Sequence, residues 1–172
     1  MTPWHPRAAN GLTWWERPGP GPALVLLHGI GSNGESFAPL VPHLDPALHL
    51  IAWNAPGYLG SRPLDLSWPV ADDYAAALAG LVGHLGLPPV TLVGHSLGAL
   101  IAAAYALRAG DRVERLILAS PALGHGVPAG GPISDASAAR IGDLERLGPG
   151  AFADARAARL VHRPEEHAET VE

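Results

Sequence analysis

The stretch Val90-Thr91-Leu92-Val93-Gly94-His95-Ser96-Leu97-Gly98 decides the fold of this 172-residue chain. Its first four residues are apolar or β-branched and predict a buried strand, and the apolar run 99–109 that follows predicts a helix. A Gly-x-Ser-x-Gly segment between a strand and a helix is typical of a very tight turn that lifts a serine hydroxyl clear of the sheet. We interpret Gly94 and Gly98 as a steric requirement, because side chains two residues on either side of Ser96 would collide.

Strand and helix patterns alternate along residues 12–119. The predicted strands are 12–16, 23–27, 48–53, 90–93 and 113–119. This alternation predicts an α/β fold, in which right-handed crossovers build a mostly parallel sheet with flanking helices. The short turn between the first two strands predicts that these two pair as one antiparallel edge.

Two helices are predicted before the Ser96 turn. The first covers 36–44, where Ser32 and Glu35 fit a capping box. The second begins at Pro69, since proline suits the first position of a helix. Its expected apolar face consists of Tyr74, Leu78, Leu81, Val82 and Leu85.

The pattern changes near Pro132, after which only helical periodicity is visible. Ile141, Leu144 and Leu147 form one apolar face, and 152–161 is a second candidate helix. Glycine and proline cluster within 124–131. We therefore predict a core over residues 1–125 and a separate helical segment over 126–172.

Composition excludes several classes of protein. The chain is 48% hydrophobic with a formal net charge of −5, as expected of a globular protein. It has no cysteine, which excludes disulfides, thiolate metal sites and a cysteine nucleophile. The 11 basic residues are all scattered arginines, so a nucleic-acid partner is not expected. No apolar run approaches the roughly 20 residues of a membrane span, so no membrane partner is expected. The N-terminus lacks a signal-peptide pattern, so we expect a cytoplasmic location.

Ser96 is the candidate nucleophile for acyl transfer. A serine hydroxyl attacks poorly unless a histidine accepts its proton and a carboxylate orients that histidine. The resulting oxyanion needs two hydrogen-bond donors. We assign one to the Leu97 amide at the start of the helix, and the other to the Ile30 amide in the loop after strand 23–27, with Gly31 as the alternative. The non-catalytic interpretation is a glycine-lined turn that buries a serine.

Three segments carry a resemblance to a known family. His28-Gly29-Ile30-Gly31, Asn54-Ala55-Pro56-Gly57-Tyr58 and Gly94-His95-Ser96-Leu97-Gly98 resemble, in order and spacing, motifs of the α/β-hydrolase family. The resemblance covers about residues 10–125 and is closest to small esterases, enol-lactonases and carbon–carbon bond hydrolases. It implies a serine hydrolase of a small ester or lactone that needs no cofactor, with a carbon–carbon bond hydrolase as the alternative. A serine nucleophile, instead of an aspartate, argues against epoxide hydrolases and haloalkane dehalogenases.

The chain also departs from that family. Family members continue through a helical cap into two further strands that carry the catalytic acid and histidine, but no strand pattern follows Ala119. We therefore expect a C-terminally truncated chain whose activity is impaired. Of the histidines that could replace the missing base, His125 is preferred to His28 and His95. Trp53, Tyr58 and Leu123 are the candidates for lining the substrate pocket. No metal site is expected, because His162 and His167 do not share a helix face.

Two other functions compete with hydrolysis. Gly29-Ile30-Gly31-Ser32-Asn33-Gly34 matches the G-x-G-x-x-G fingerprint of dinucleotide-binding proteins, although the acid expected near Asn54 is missing. Alternatively, the chain is a non-catalytic remnant or half of a split enzyme. In that case the apolar edge of strand 113–119, near Leu116, would accept a complementing chain or a second copy.

Overall fold

Six strands of the first unit of the chain form one sheet. They are β1 (His5–Ala9), β2 (Leu12–Arg17), β3 (Ala23–Leu27), β4 (His49–Asn54), β5 (Val90–His95) and β6 (Val113–Ala119). Their order in the sheet is β1-β2-β4-β3-β5-β6. The computed structural model describes residues 4–123, 127–128 and 131–168, and the chain divides into a first unit, 1–124, and a second unit, 125–172.

The parallel part of the sheet is its most buried part. β3 pairs in parallel with both β4 and β5, and β5 pairs in parallel with β6. All five residues of β3 are buried, as expected for a parallel strand that is covered on both faces. The prediction of an α/β fold with a mostly parallel sheet is confirmed.

The antiparallel edge of the sheet is formed by different strands from those predicted. β2 does not pair with β3; it pairs antiparallel with β1 and with β4. β1 was missed, although the sequence held a signal for it in Asn10-Gly11. Both residues have positive φ (52° and 79°), which is what a two-residue hairpin turn between twisted strands requires.

Two helices of the first unit pack on one face of the sheet. They are α1 (Ala71–His84) and α2 (Leu97–Arg108). The predicted apolar face of α1 is correct, with Leu78, Leu81 and Val82 buried in the core. Its predicted start at Pro69 is two residues early, because the Asp73 carboxylate accepts a hydrogen bond from the Val70 amide (2.8 Å) and caps the helix there.

The predicted helix over 36–44 is wrong. The structure has two short 3₁₀ helices in this region, Gly34–Phe37 and Val41–His43. Asn33, and not Ser32, caps the first of them by accepting from the amides of Glu35 and Ser36. Pro39 and Pro42 lack the amide hydrogens that a continuous α-helix would need.

The second unit contains α3 (Asp135–Ala157), which is divided into two halves. Gly148 has non-helical backbone angles (φ 74°, ψ 167°) and Pro149 follows it, so the chain bends there. This division agrees with the two helical patterns of the sequence. Among the described residues, no helix is both long enough and apolar enough to cross a bilayer.

Candidate active site

The serine turn, residues 94–98, lies at the carboxyl end of β5. Ser96 has φ 53° and ψ −113°, a backbone conformation that non-glycine residues rarely adopt, and α2 begins at the next residue. Its side chain is half-buried. The predicted strand–turn–helix arrangement is therefore present, with Ser96 as the strained residue.

Both glycines of the serine turn are required by close backbone packing. A Cβ atom on Gly94 would lie 2.6 Å from the Ala99 nitrogen, on the first turn of α2. A Cβ atom on Gly98 would overlap the Leu27 carbonyl group and lie 2.8 Å from the His28 oxygen. Real Cβ atoms do not come this close to backbone atoms, so the turn can form only if side chains are absent at 94 and 98.

The histidine loop, residues 28–34, follows β3 and contacts the serine turn. A Cβ atom on Gly29 would lie 3.1 Å from the Ser96 Cβ atom. The Ser32 amide donates to the Gly29 carbonyl (3.3 Å), and Gly31, with φ 74°, occupies the left-handed position of that turn. Ile30 stands between them with its side chain 62% exposed. The loop that holds one predicted oxyanion donor therefore lies against the predicted nucleophile.

The other predicted donor is the Leu97 amide. Leu97 is the first residue of α2, so its amide has no carbonyl one turn earlier in the helix to which it could donate. The amide groups at a helix N-terminus carry partial positive charge and favour an anion nearby.

His28 holds the histidine loop in place and does not act as a base. It is 1% exposed; its Nδ1 donates to the Gly29 carbonyl (2.8 Å), while its Nε2 accepts from the Ala55 amide (3.1 Å). Burial lowers the pKa of His28, and the hydrogen bond to Gly29 offsets part of that effect. With both ring nitrogens occupied, this imidazole has no lone pair to accept a proton from Ser96.

Asn54, at the end of β4, connects the histidine loop to β2. Its Oδ1 accepts from the Gly34 amide (2.8 Å) and its Nδ2 donates to Thr13 Oγ1 (2.8 Å). The Ser61 hydroxyl donates to the Asn54 carbonyl (2.7 Å). The sequence predicts no chemical role for Asn54, although a polar amide directly after the apolar strand 48–53 is a signal for a structural one.

Of the two remaining histidine candidates, the structure describes His95. His95, the residue before Ser96, is exposed, and its ring lies near Gly29. His125 lies outside the described residues. Within residues 4–123, no histidine or carboxylate forms a hydrogen bond to the Ser96 hydroxyl.

The three residues predicted to line a pocket have three different environments. Trp53 is fully buried in the core, so the prediction for it is wrong: β4 points this side chain at the face that α1 and α2 cover. Tyr58 is half-buried and its ring meets that of His28 edge to face, 4.8 Å between centroids. Leu123 is 90% exposed.

The dinucleotide fingerprint has a structural explanation. Gly31 precedes a 3₁₀ helix of four residues, and not the α-helix whose N-terminus would hold a pyrophosphate. Gly34 is required because its Cβ atom would lie 2.5 Å from the Ala52 oxygen of β4. Asn54, which stands where the ribose-binding acid would be, has both ends of its amide bonded within the protein. These contacts argue against nucleotide binding.

Other parts of the described surface offer no second reactive centre. A cavity of about 390 Å³ lies between the β1–β2 hairpin and α1, with Leu12, Arg62 and His84 in its walls, and Ser96 is not among its lining residues. Within the described ranges, no group of three or more histidine or acidic side chains is placed to hold a metal ion.

Comparison with known proteins gives consistent results. Residues 22–160 match the model of the alpha/beta hydrolase fold family. The chain is 34% identical over 126 residues to the magnesium-chelatase 30 kDa subunit of Rhodobacter capsulatus (69% of this chain, 42% of that protein). It is 34% identical over 109 residues to the 2-hydroxy-6-oxononadienedioate/2-hydroxy-6-oxononatrienedioate hydrolase 2 of Pseudomonas putida (61% of this chain, 38% of that protein).

A solved structure agrees over nearly the whole chain. The esterase of Exiguobacterium antarcticum superposes with a TM-score of 0.73 at 25% identity, covering 98% of this chain and 65% of the esterase. The chain spans about two fifths of the length of the two curated relatives, the magnesium-chelatase subunit and the hydrolase of Pseudomonas putida.

Proposed function

Because this chain belongs to the α/β-hydrolase fold family, we propose that it carries the nucleophile of a serine hydrolase that acts on a small ester or lactone. The observation that carries the proposal is the backbone of Ser96, held at φ 53° between β5 and α2. Similarity to an esterase of known structure supports the ester as substrate class.

In the proposed reaction, Ser96 Oγ attacks the carbonyl carbon of the ester while its proton passes to a general base. The carbonyl oxygen becomes an oxyanion that accepts hydrogen bonds from the Leu97 and Ile30 amides. Collapse of this intermediate breaks the bond to the leaving alcohol, which takes the proton, and leaves an acyl group on Ser96. Water then hydrolyses the acyl-enzyme by the same steps in reverse order.

The general base of the proposed reaction lies outside residues 4–123. His28 is excluded by its two hydrogen bonds, and the ring of His95 forms no hydrogen bond to the Ser96 hydroxyl. We therefore propose that full activity requires residues beyond this range, in the same polypeptide or in a complementing chain. Without them, the serine turn and the amide donors give only weak catalysis.

The site can be tested apart from turnover, because the chain contains no cysteine. The variant Ser96→Cys carries a single thiol, whose pKa is measured from the rate of alkylation by iodoacetamide against pH. Amides and the α2 N-terminus facing the sulfur should lower this pKa below the ordinary value of about 8.5. Ala79→Cys, on the exposed side of α1, is the matched control with an ordinary pKa.

Turnover is measured in parallel with p-nitrophenyl acetate. We expect slow hydrolysis by the chain alone, reduced further in Ser96→Ala. Equal thiol pKa values at positions 96 and 79 would overturn the assignment of the site. Fast hydrolysis that Ser96→Ala abolishes would overturn the proposed impairment and leave the nucleophile assigned.

A carbon–carbon bond hydrolase is the second candidate. The 34% identity to the hydrolase of Pseudomonas putida favours it. Both reactions use the same oxyanion donors, so the substrate distinguishes them. Release of a carboxylic acid from a 2-hydroxy-6-oxo dienoate, faster than from p-nitrophenyl acetate, would favour carbon–carbon cleavage.

The edge strand β6 supports a need for further chain at this site. Leu116, Ile117 and Leu118 are 39%, 49% and 42% exposed, whereas β3 is fully buried. An added strand along β6 would cover these residues. Sedimentation of the chain alone distinguishes self-association through this edge from a monomer, and Ile117→Lys should abolish any association that uses it.

A further inference from the structure

The backbone of Ser96 is bonded at both ends by the segment that leaves β6. The Ser96 amide donates to the Ala119 carbonyl (3.0 Å), and the Ser96 carbonyl accepts from the Ala122 amide (3.1 Å). The same carbonyl also accepts from the Ala99 amide of α2 (3.1 Å). Two different elements therefore fix the strained residue, α2 from one side and residues 119–122 from the other.

Ser120 makes this arrangement possible. It is the residue between the acceptor Ala119 and the turn to Ala122, and it has φ 43°. A positive φ directly after a strand breaks the regular strand pairing, and the next amide on this side that bonds to Ser96 is that of Ala122, because Pro121 has no amide hydrogen. Such a conformation is unfavourable in a non-glycine residue, so its surroundings must compensate for it.

We infer that Ser120 is a positioning residue for Ser96, and that it acts through its left-handed backbone and not through its hydroxyl. Ser96 keeps its own unfavourable φ and ψ only while the bonds to Ala119 and Ala122 restrain it. If they are lost, Ser96 relaxes and its side chain turns away from the Leu97 amide. This inference rests on the proposed role of Ser96 as nucleophile.

Residues 120–123 are the part of the chain that leaves β6 in the direction of residues 125–172. A change in the backbone of this exit segment would reach Ser96 through the hydrogen bond from the Ala122 amide.

The single thiol of Ser96→Cys provides the test. In that background, Ser120→Ala removes the hydroxyl and keeps φ accessible, whereas Ser120→Val places a β-branched residue where φ is positive. We expect Ser120→Ala to leave the alkylation rate at pH 7 within two-fold of the parent. Ser120→Val should slow it by about five- to ten-fold, since the thiol pKa returns toward about 8.5.

A second pair of variants tests the hydrogen bond itself. Ala122→Pro removes the amide that donates to Ser96, and Ala122→Ser retains it. We expect slow alkylation with Ala122→Pro and a rate within two-fold of the parent with Ala122→Ser. Circular dichroism and thermal unfolding identify any variant that fails to fold. If Ala122→Pro fails, hydrogen exchange of the residue 96 amide is compared between Ser120→Val and Ser120→Ala. We expect faster exchange in Ser120→Val.

The outcomes separate this inference from the proposed function. Equal rates for Ser120→Val and Ser120→Ala, with a lowered thiol pKa in the parent, would overturn the positioning role and leave the nucleophile assigned. Equally slow rates for both variants would assign the role to the hydroxyl and contradict the inference. An ordinary pKa in the Ser96→Cys parent would instead contradict the proposed function.

Discussion

The serine turn and the histidine loop meet at the carboxyl end of the sheet, but different interactions hold them. The serine turn is fixed by the absence of side-chain atoms, since Gly94 and Gly98 lie against backbone. The histidine loop is fixed by buried polar side chains, because His28 and Asn54 satisfy backbone groups on both sides of it. The serine turn tolerates no added atom at Gly94 or Gly98, whereas the histidine loop, apart from the close contact at Gly34, depends on its buried hydrogen bonds.

The largest effect should come from adding one carbon atom to the serine turn. In Gly98→Ala, the new methyl group would overlap the Leu27 carbonyl, and neither β3 nor α2 can move without disrupting the core. We expect the free energy of unfolding to fall by at least about 3 kcal/mol, the upper part of the range for overpacked sites. Urea denaturation measures the loss. Gly80→Ala, in α1 with open space at its Cβ position, is the control and should be neutral or stabilising.

Removing a polar group from the histidine loop should have the next largest effect. Asn54→Ala leaves the Gly34 amide without its acceptor and Thr13 Oγ1 without its donor. We expect a loss of about 2 kcal/mol in the free energy of unfolding, typical of an unsatisfied buried group. Thr13→Ser retains the hydroxyl and is the matched control. A loss below about 0.5 kcal/mol would mean that this network does not hold the loop.

A smaller effect is expected from the same glycine-to-alanine change within the histidine loop. Gly31 has φ 74°, but a Cβ atom there would meet nothing within 4 Å. Gly31→Ala should therefore cost only the left-handed backbone conformation, roughly 1 kcal/mol. Gly98 does not have positive φ, so the loss at position 98 reflects overlap and should exceed the purely conformational loss at position 31. Similar losses would contradict the contrast between the two regions.

The smallest effect at neutral pH concerns His28. Burial lowers its pKa below the ordinary 6.5, so the unfolded chain binds a proton more readily than the folded chain does. The stability that depends on neutral His28 is fully present above pH 6.5 and should be lost as the pH falls from 6.5 through the folded pKa. Urea denaturation of wild type and His28→Asn at several pH values isolates this contribution. Parallel pH profiles for the two proteins would show that His28 does not protonate in this range.

Sequence patterns predicted the parallel core well because each pattern there is local. An apolar run predicts a buried strand wherever it occurs, and Gly94 and Gly98 indicate a tight turn without any knowledge of their neighbours. The edge was harder, because strand partners are chosen by the whole sheet: β2 pairs with β4, which lies more than 30 residues away along the chain. The prediction of a helix over 36–44 failed because the capping-box pattern of Ser32 and Glu35 outweighed Pro39 and Pro42 in it.

The candidate site divides in the same way. Ser96, Ile30 and Leu97 could be nominated from motifs, and their roles stay a proposal that the thiol experiment tests. Asn54 stands out in the sequence as an amide after an apolar strand, but its two partners are distant in the chain and could not be predicted. Ser120 could not be nominated at all, since it acts through a backbone angle.

The sequence by itself determined where strands β2 to β6, the serine turn and the candidate nucleophile lie, because apolar periodicity and glycine sterics act over a few residues. Only the tertiary structure decided that His28 is buried, with one ring nitrogen donating and the other accepting a hydrogen bond. It also decided that the end of β6 forms hydrogen bonds to the backbone of Ser96. Those properties depend on atoms that approach each other after the sheet has formed, at distances in the chain that no local pattern records.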